Sequence, residues 1–400
     1  MAKTLAPKKK PTKKEIFQKK KSFDPVSRGA KPGVDHAALF KERVLAIGPD
    51  VKVAVLHDTD SDGICSGVLV AKSIERLRGK PVDGIIHQQH KDVGLTQDTI
   101  DRLKKQQIGI LFVTDKAIDQ SPETLKQASL FFKIIAFDHH QVEADLTDEM
   151  ILIIKSQFLS PLDGAAYPTS KLVYDLFRPL VDITDLDWMS SAGIIADSCY
   201  PTWKTFVNAA MKKYGIKKKT DIFETDLGMV SRSIGNSILF DKKKIKEVVD
   251  IVSNARNPGD VLNSRLKEYE QAVNDEIEYW VREHKKGAQF FPELELVFYV
   301  VHPRYPINSP LSTILSKKVY PNQTLVVVHD SGDAVLGISL RRQDYKVHCP
   351  NLVKAAVTGL RDANGGGHIP AAGGKIRRED LARFLEQLKD QIASGNHALI

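Results

Sequence analysis

The sequence has few cysteines, and the three that it has stand far apart. Cys65, Cys199 and Cys349 form no CxxC pair in a chain of 400 residues, which argues against a disulfide framework and a thiolate zinc site. Long hydrophobic runs are also lacking, because the longest, such as residues 294–301, have the length of a strand and not of a membrane span. The N-terminus has no apolar segment typical of a secretory signal, so we expect a cytoplasmic protein without a membrane partner.

The net excess of basic over acidic residues comes from only one segment. Residues 1–21 contain nine lysines and a single acidic residue, Glu15, and this segment accounts for the whole formal net charge of +8. The rest of the chain is therefore neutral overall and lacks the general excess of basic residues found in many nucleic-acid-binding domains. We predict a basic disordered tail over residues 1–34. It either adds non-specific affinity for phosphate backbones or only improves solubility.

Short apolar segments alternate with segments of helical periodicity in the first half of the chain. Strands are predicted at residues 51–56, 84–87, 108–113, 134–137 and 151–154. Such alternation is typical of a parallel sheet covered by helices on both faces. The predicted fold class is therefore α/β, with a doubly wound, mainly parallel sheet in residues 35–215. A helical linker over 216–288 would join it to a smaller α/β domain over 289–400, with strands at 294–301, 324–329 and 334–340 and a glycine-rich loop.

Three carboxylates occupy alternate positions directly after the first predicted strand, in the motif DTDSDG that begins at Asp58. If this segment is extended, Asp58, Asp60 and Asp62 point the same way. They then repel one another unless a cation lies among them. An EF-hand loop would need a glutamate at its twelfth position, where this chain has Leu69. We therefore expect a divalent-cation site of another kind.

Polar residues also follow two other predicted strands. Asp115 follows the third strand, and Asp138-His139-His140 follows the fourth. Because ligands of doubly wound sheets bind at the carboxyl ends of the strands, we expect the three motifs to converge. Asp119 competes with Asp115 for this role, and neighbouring histidines can also be hydrogen-bonded core residues. Asp197, in an apolar helical stretch, is either a ligand or one half of a buried ion pair.

Together these motifs resemble those of the DHH phosphoesterase superfamily with its associated C-terminal domain, and most closely the RecJ-like single-strand exonuclease branch. The resemblance covers about residues 50–200 and 290–395. It implies two Mn²⁺ or Mg²⁺ ions bound by six residues: Asp58, Asp60, Asp62, Asp115, His139 and Asp197. Asp115 would bridge the two ions, and His140 would contact the phosphate or orient a ligand. Such ion pairs activate water for attack on phosphorus.

A fifth motif, GGGHIPAAG from residue 365, resembles the glycine-rich segment of the associated domain. By this resemblance Gly365, Gly366 and Gly367 approach the nucleotide with their backbone amides, and His368 contacts a phosphate or a terminal sugar. Arg341 would bind a substrate phosphate, a role that suits a bidentate guanidinium. Glycine clusters and exposed arginines are common in ordinary turns, so these roles depend on the resemblance.

The function implied is a metal-dependent phosphodiesterase that removes nucleotides from the ends of single-stranded DNA or RNA. One alternative is an oligoribonuclease or a small or cyclic nucleotide phosphodiesterase, and another is a non-catalytic scaffold of a replication complex. Asp58 stands where small-nucleotide hydrolases of the superfamily usually have histidine, which favours the exonuclease, whereas Ala117 replaces a glycine of many relatives. The expected partners are single-stranded nucleic acid or short oligonucleotides, together with replication or repair proteins.

Overall fold

The computed structural model describes residues 24–88 and 94–395, with only the backbone of Ser27 and His368. The nine lysines of residues 1–21 thus lie outside the described residues, whereas Lys31, within the predicted tail, is described and its ammonium donates to the carbonyl of Thr147 at 2.7 Å. The chain divides into two compact units. The first comprises the residues up to Arg232 together with Val249–Leu262, and the second comprises Ser233–Val248 together with the residues from Asn263 onward.

The first unit is built on a parallel sheet of five strands in the order β2-β1-β3-β4-β5. The strands are β1 (Val53–His57), β2 (Gly84–Ile86), β3 (Ile110–Thr114), β4 (Lys133–Asp138) and β5 (Ile151–Lys155). Helix α1 (His36–Leu45) precedes the sheet, and the connecting helices are α2 (Ser61–Arg78), α3 (Gln97–Lys105) and α4 (Pro122–Ser129). This confirms the predicted α/β fold with a mainly parallel sheet.

Both faces of this sheet are covered, as expected for strands whose central positions are all apolar. On one face, Leu56 and Val113 pack with Leu103 of α3 and Leu125 of α4. On the other face, Phe40 of α1 makes edge-to-face contact with Phe137 of β4. The sheet is therefore buried between helical layers, which leaves the ends of its strands as the expected place for a ligand.

The rest of the first unit is helical. Its helices include α5 (Ser156–Leu159), α6 (Thr169–Phe177), α7 (Asp187–Ala196) and α8 (Tyr200–Lys213). Helices α9 (Asp226–Phe240) and α10 (Ile245–Asn254) each have residues in both units, whereas α11 (Pro258–Leu262) belongs to the first. Helix α2 packs against α6 and α7. None of the described helices combines the length and the apolar composition needed to cross a bilayer.

The second unit contains a mixed sheet of six strands in the order β10-β11-β9-β8-β7-β6, in which only β7 and β8 are parallel. Its strands are β6 (Ala288–Phe291), β7 (Leu296–Val301), β8 (Thr324–His329), β9 (Val335–Arg341), β10 (Asn364–His368) and β11 (Ala371–Arg377). Its helices are α12 (Leu266–Gly287), α13 (Asn308–Lys318), α14 (Cys349–Ala356) and α15 (Leu381–Ser394).

The prediction for this sheet was incomplete. Strands β6, β10 and β11 and helix α13 were not predicted, and the segment predicted as a glycine-rich loop is strand β10. Its glycines carry no side chains whose alternation could reveal a strand. Their conformation follows instead from pairing with β11, in which Gly366 lies opposite Gly373. Strand β10 therefore forms because it pairs with β11, and the residues of β10 alone do not predict it.

Candidate functional site

The carboxyl ends of β1, β3, β4 and β5 lie side by side at one edge of the parallel sheet. His57 pairs with Thr114, Thr114 pairs with Phe137, and Asp138 pairs with Lys155. The residues that follow β1, β3 and β4 are those expected to converge. The register thus places the DTDSDG motif, Asp115 and the two histidines at a common edge.

The DTDSDG motif forms the turn from β1 into α2, and it is not extended throughout. Helix α2 begins at Ser61, so Asp62 lies in its first turn. Asp60 is the N-cap, and its carboxylate accepts a hydrogen bond from the N–H of Gly63 at 2.8 Å. A Cβ at Gly63 would lie 2.6 Å from the carbonyl oxygen of Asp58, so only glycine fits there. The carboxylate of Asp58 lies 3.7 Å from the ammonium of Lys116.

The N-terminus of α6 holds the buried carboxylate of Asp62. Its two oxygens accept the backbone N–H groups of Thr169 at 2.7 Å and Ser170 at 3.1 Å. Helix α7 passes close on another side, where a Cβ at Gly193 would lie 2.3 Å from Oδ1 of Asp62. The carboxylate is therefore fixed at the N-terminus of a helix, where the positive end of the helix dipole lies.

Asp115 follows β3 in a left-handed backbone conformation, with φ of 61°. Such a conformation is uncommon outside glycine and often occurs at functional sites. The N–H of Asp115 donates to the carbonyl of Phe137 at 2.9 Å, which ties it to β4. Its Oδ1 accepts a hydrogen bond from the hydroxyl of Thr169 at 2.9 Å. Thr169 thus holds both Asp62 and Asp115.

The two histidines after β4 are held by different partners. Nδ1 of His139 lies 3.1 Å from the carbonyl of Gly164, which fixes it as the donor. Nε2 of His139 is thereby directed to the carboxylates of Asp115 and Asp197, each at 3.4 Å. Nδ1 of His140 lies 2.7 Å from Oδ1 of Asp138. Nε2 is therefore the ring atom that His140 can offer to a ligand.

Asp197 lies at the C-terminal end of α7. Its Oδ2 is buried and has no hydrogen-bond partner among the described residues. A buried carboxylate oxygen without a hydrogen bond is costly. With a histidine nitrogen and further carboxylates close by, a divalent cation is the partner that would satisfy it.

The structure brings four of the six predicted ligands into two overlapping groups. One group contains Asp62, His139 and Asp197, and the other contains Asp115, His139 and His140. Within each group the potential ligand atoms lie within 4.8 Å of one another. Among the described residues, Asp58 and Asp60 belong to neither group, although they lie in the same turn as Asp62. His140, expected at the phosphate, also lies within ligand distance.

The carboxylates of the site destabilise one another's charged forms. Burial, followed by the charges of Asp60 and Asp62, raises the pKa of Asp115 well above its ordinary value. Burial and the same two charges also raise the pKa of Asp197. Asp60 is partly open to solvent. Its pKa is nevertheless raised, first because the surrounding protein desolvates the carboxylate and then because of the charge of Asp58. A bound cation would relieve this repulsion.

Three supporting residues were not recognised from the sequence: Thr169, Ser170 and Lys155. Lys155 is fully buried at the end of β5, where its ammonium lies 2.6 Å from Asp138 and 2.9 Å from Asp119. Asp119, the competitor of Asp115, therefore pairs with a lysine and also accepts the N–H of Glu143. No sequence signal marks these residues, because their partners are distant along the chain.

We predict that the hydroxyl of Thr169 contributes to metal affinity. Thr169→Val keeps the shape of the side chain and the N–H bond to Asp62 but removes the bond to Asp115. It should weaken Mn²⁺ binding by about 10-fold or more, the size typical of an outer-shell partner. Thr169→Ser, which keeps the hydroxyl, is the matched control. Equal affinities of the two variants in calorimetric titrations would show that the hydroxyl has no such role.

In the second unit, Arg341 ends strand β9. Its guanidinium donates to the carbonyls of Leu340 at 3.0 Å and Ala372 at 3.2 Å, and to the hydroxyl of Ser309 at 3.1 Å. Its neighbour Arg342 is buried and bonded to Asp344 and Glu295. Arg342 is thus occupied by carboxylates. Within the part of the chain that the structure describes, Arg341 donates to neutral groups, so it is the better candidate for a phosphate.

The glycines of β10 differ in their surroundings. Gly367 has φ of 140°, and a Cβ there would lie 2.4 Å from the carbonyl of Ala371. A Cβ at Gly365 would lie 2.7 Å from Val353, whereas Gly366 faces open space. The backbone of His368 pairs with Ala371, which in turn pairs with Arg341. The side chain of His368 lies outside the described residues, so its predicted role stays a prediction.

Comparisons with known proteins agree with this architecture. Residues 52–189 match the DHH family, N-terminal domain, and residues 309–394 match the DHHA1 domain, together more than half of the chain. No curated protein sequence shows significant similarity to the chain.

Several solved structures share the fold. A DHH-domain protein described as a member of a family of ribosomal proteins is 14% identical, with a TM-score of 0.68 and coverage of 92% of this chain and 95% of the other. Exonuclease RecJ bound to manganese is 16% identical, with a TM-score of 0.63 and coverage of 90% and 93%. RecJ from Thermus thermophilus in complex with Mn²⁺ is 13% identical, with a TM-score of 0.64; the chain covers 55% of its length, and 91% of this chain is matched. At these identities the similarity shows the fold.

Proposed function

Because the chain carries a DHH family N-terminal domain and a DHHA1 domain, we propose that it is a metal-dependent phosphodiesterase. Its substrates would be the ends of single-stranded DNA or RNA. The observation that carries this proposal is the convergence of Asp62, Asp115, His139 and Asp197 at one edge of the sheet. The names of the RecJ structures, which are those of manganese-binding exonucleases, support the choice of metal and substrate.

The residues of the site fit two divalent ions. Two overlapping groups of ligand atoms share His139, and the orphaned Oδ2 of Asp197 adds to the fit. Oxygen ligands with few imidazoles suit Mn²⁺ or Mg²⁺. When bound, such ions lower the pKa of water and neutralise charge on phosphoryl oxygens. Asp58 and Asp60 would complete the ligand set from the same turn.

The protein itself would hold and orient the substrate. His140 contributes a ring nitrogen to the group with Asp115 and His139. Because Asp138 holds its Nδ1, Nε2 is the ring atom that would donate to or accept from a phosphate oxygen. In the second unit, Arg341 would bind a further phosphate of the strand. The backbone amides of Gly365, Gly366 and Gly367 would approach the nucleotide, as expected from the sequence.

We predict that Mn²⁺ affinity rises with pH. The raised pKa values of Asp115 and Asp197 mean that protons occupy these carboxylates above the ordinary aspartate range near 3.8. Protons therefore compete with the metal until the pH passes the raised values. Calorimetric titrations in two buffers of different ionisation enthalpy should show proton release on Mn²⁺ binding. An affinity that does not change with pH would contradict this prediction.

The raised pKa values of Asp115 and Asp197 also affect the stability of the folded protein. A carboxyl group with a raised pKa in the folded state favours folding when protonated, and this contribution is lost as the pH rises through the raised value. Metal binding removes the like-charge repulsion that causes the loss. The increase in melting temperature on addition of Mn²⁺ should therefore be larger at alkaline than at mildly acidic pH.

One assay tests the proposed function directly. Purified protein with Mn²⁺ would be incubated with end-labelled single-stranded DNA, single-stranded RNA, a dinucleotide and a cyclic dinucleotide. Stepwise release of nucleotides from one of the long strands supports the exonuclease. Cleavage of the dinucleotides alone would favour the oligoribonuclease or small-nucleotide alternative. No hydrolysis of any of the four by metal-loaded protein would favour the scaffold.

A further prediction concerns the lysines of residues 1–21. Deleting this segment should weaken binding to long single strands and flatten its salt dependence, because each lysine–phosphate contact contributes about 0.7 to the logarithmic slope. A tail of equal length with glutamines in place of lysines is the matched control and should behave like the deletion. If affinity and slope do not change, the tail only improves solubility.

A further inference from the structure

Lys155 is a fully buried lysine whose bonds lead to the candidate site. It is the last residue of β5, and it pairs with Asp138 across the parallel ladder. Its ammonium donates to Oδ2 of Asp138 at 2.6 Å and to the carbonyl of Gln141 at 3.0 Å. It also lies 2.9 Å from Oδ1 of Asp119. The ammonium therefore connects the segments that follow β3 and β4 to the end of β5.

The carboxylate of Asp138 is shared between Lys155 and His140. Oδ2 accepts the ammonium, while Oδ1 accepts Nδ1–H of His140 at 2.7 Å. With one oxygen held by a buried cation, the carboxylate cannot rotate without breaking a charged hydrogen bond. The plane of Asp138, and with it the direction in which Oδ1 accepts, is therefore set by Lys155.

The orientation of the His140 ring depends on a hydrogen-bond partner more than that of the His139 ring does. The side chain of His140 is 45% exposed, whereas that of His139 is 14% exposed. A half-exposed ring has few packing contacts to fix its orientation, and its ring contact is an edge-to-face approach to His139 at 4.8 Å between centroids. The bond from Nδ1 to Asp138 is thus the main constraint that directs Nε2 into the site.

We propose that Lys155 is a positioning residue, which orients His140 through Asp138 so that Nε2 of His140 faces the reacting phosphate. The orienting part can be tested in the metal-free protein, whereas the effect on reaction rests on the proposed function. Asp119 supplies the second carboxylate that compensates the buried charge, and it also ties down the N–H of Glu143 at 2.9 Å.

Nitrogen-15 NMR of histidine-labelled, metal-free protein tests the orienting part. At a pH that keeps the ring neutral, His140 should carry its proton on Nδ1, because Asp138 accepts it. Lys155→Met should convert this signal to a mixture of tautomers. Arg342→Met, which removes a buried cation of the second unit, is the matched control and should leave the signal unchanged.

A second variant covers the case in which Lys155→Met does not fold. Asp138→Asn keeps the size of the anchor and leaves Lys155 paired with Asp119, but its amide can also donate to the ring. It should change the His140 signal in a folded protein. An unchanged Nδ1–H signal in folded Lys155→Met, or in folded Asp138→Asn if the first variant does not fold, would overturn the proposal.

A double-mutant cycle tests the effect on reaction. Lys155→Met and His140→Ala should each reduce kcat by about 10- to 100-fold. Lys155→Met should cost no more than about twofold further in the His140→Ala background, because coupled residues are not additive. Additive losses would show a merely structural role. If no substrate is hydrolysed at all, the proposed function fails, but the NMR result still decides whether Lys155 orients His140.

Discussion

Asp115→Asn is expected to abolish most Mn²⁺-dependent hydrolysis and to raise the melting temperature of the metal-free protein. The loss of activity should exceed the about 100-fold typical of an outer-shell partner, because Asp115 lies within ligand distance of His139 and His140. The gain in stability follows from the raised pKa of Asp115, whose ionised form is penalised by burial and by neighbouring carboxylates. Asparagine resembles the protonated form and can still accept the hydroxyl of Thr169.

The size of the stability effect of Asp115→Asn depends on pH. The penalty on the charged carboxyl group increases as the pH rises through its raised value. Asp115→Asn should therefore stabilise the metal-free protein more at alkaline than at acidic pH, as measured by thermal unfolding.

A matched control is Asp145→Asn, which removes a buried carboxylate that pairs with His36 at 2.7 Å. This variant should lose stability while the folded fraction retains Mn²⁺ binding and hydrolysis. Full activity of Asp115→Asn would contradict the assignment of Asp115 to the site.

The second large effect is expected for Gly193→Ala. Alanine is normally the better helix former by about 1 kcal/mol, so without a clash this change would stabilise α7. Here the new Cβ would lie 2.3 Å from Oδ1 of Asp62 and 2.2 Å from the hydroxyl of Ser170. Overpacking of this kind typically costs about 1–3 kcal/mol. Displacement of Asp62 from the N-terminus of α6 should also weaken Mn²⁺ binding by about 10-fold or more.

The neighbouring position offers a control that separates stability from metal binding. Ala192→Gly lies on the same buried helix and should cost about 1 kcal/mol through its lower helix propensity, without a new contact to Asp62. Urea unfolding and calorimetric titration of both variants give the two quantities. If Gly193→Ala binds Mn²⁺ as tightly as Ala192→Gly, the close approach of α7 to Asp62 has no role in the site.

The parallel sheet and the meeting of its motifs could be predicted because the signals are local. Each strand is a short apolar run, each motif follows one of them directly, and the carboxyl ends of parallel strands must share an edge. The detailed geometry of the DTDSDG motif could not be predicted, because Asp60 caps α2 and Asp62 lies within the first turn of that helix. An extended segment was therefore the wrong basis for expecting the carboxylates to face one another.

The residues that support the site could not be predicted because they act across long stretches of chain. Thr169 bonds to a carboxylate 107 residues away, and Lys155 bonds to one 17 residues away on the neighbouring strand. In the sequence, Thr169 looks like an ordinary residue at the start of a helix, and Lys155 looks like an ordinary residue at the end of a strand. Strand β10 was missed for a related reason, since its glycines form a strand only through pairing with β11.

The most direct test of the metal site is anomalous diffraction at the manganese absorption edge from crystals grown with Mn²⁺. Two manganese peaks are predicted at the edge of the parallel sheet, with ligands drawn from Asp62, Asp115, His139 and Asp197. Well-ordered protein that shows no manganese at these residues would contradict a two-metal phosphodiesterase.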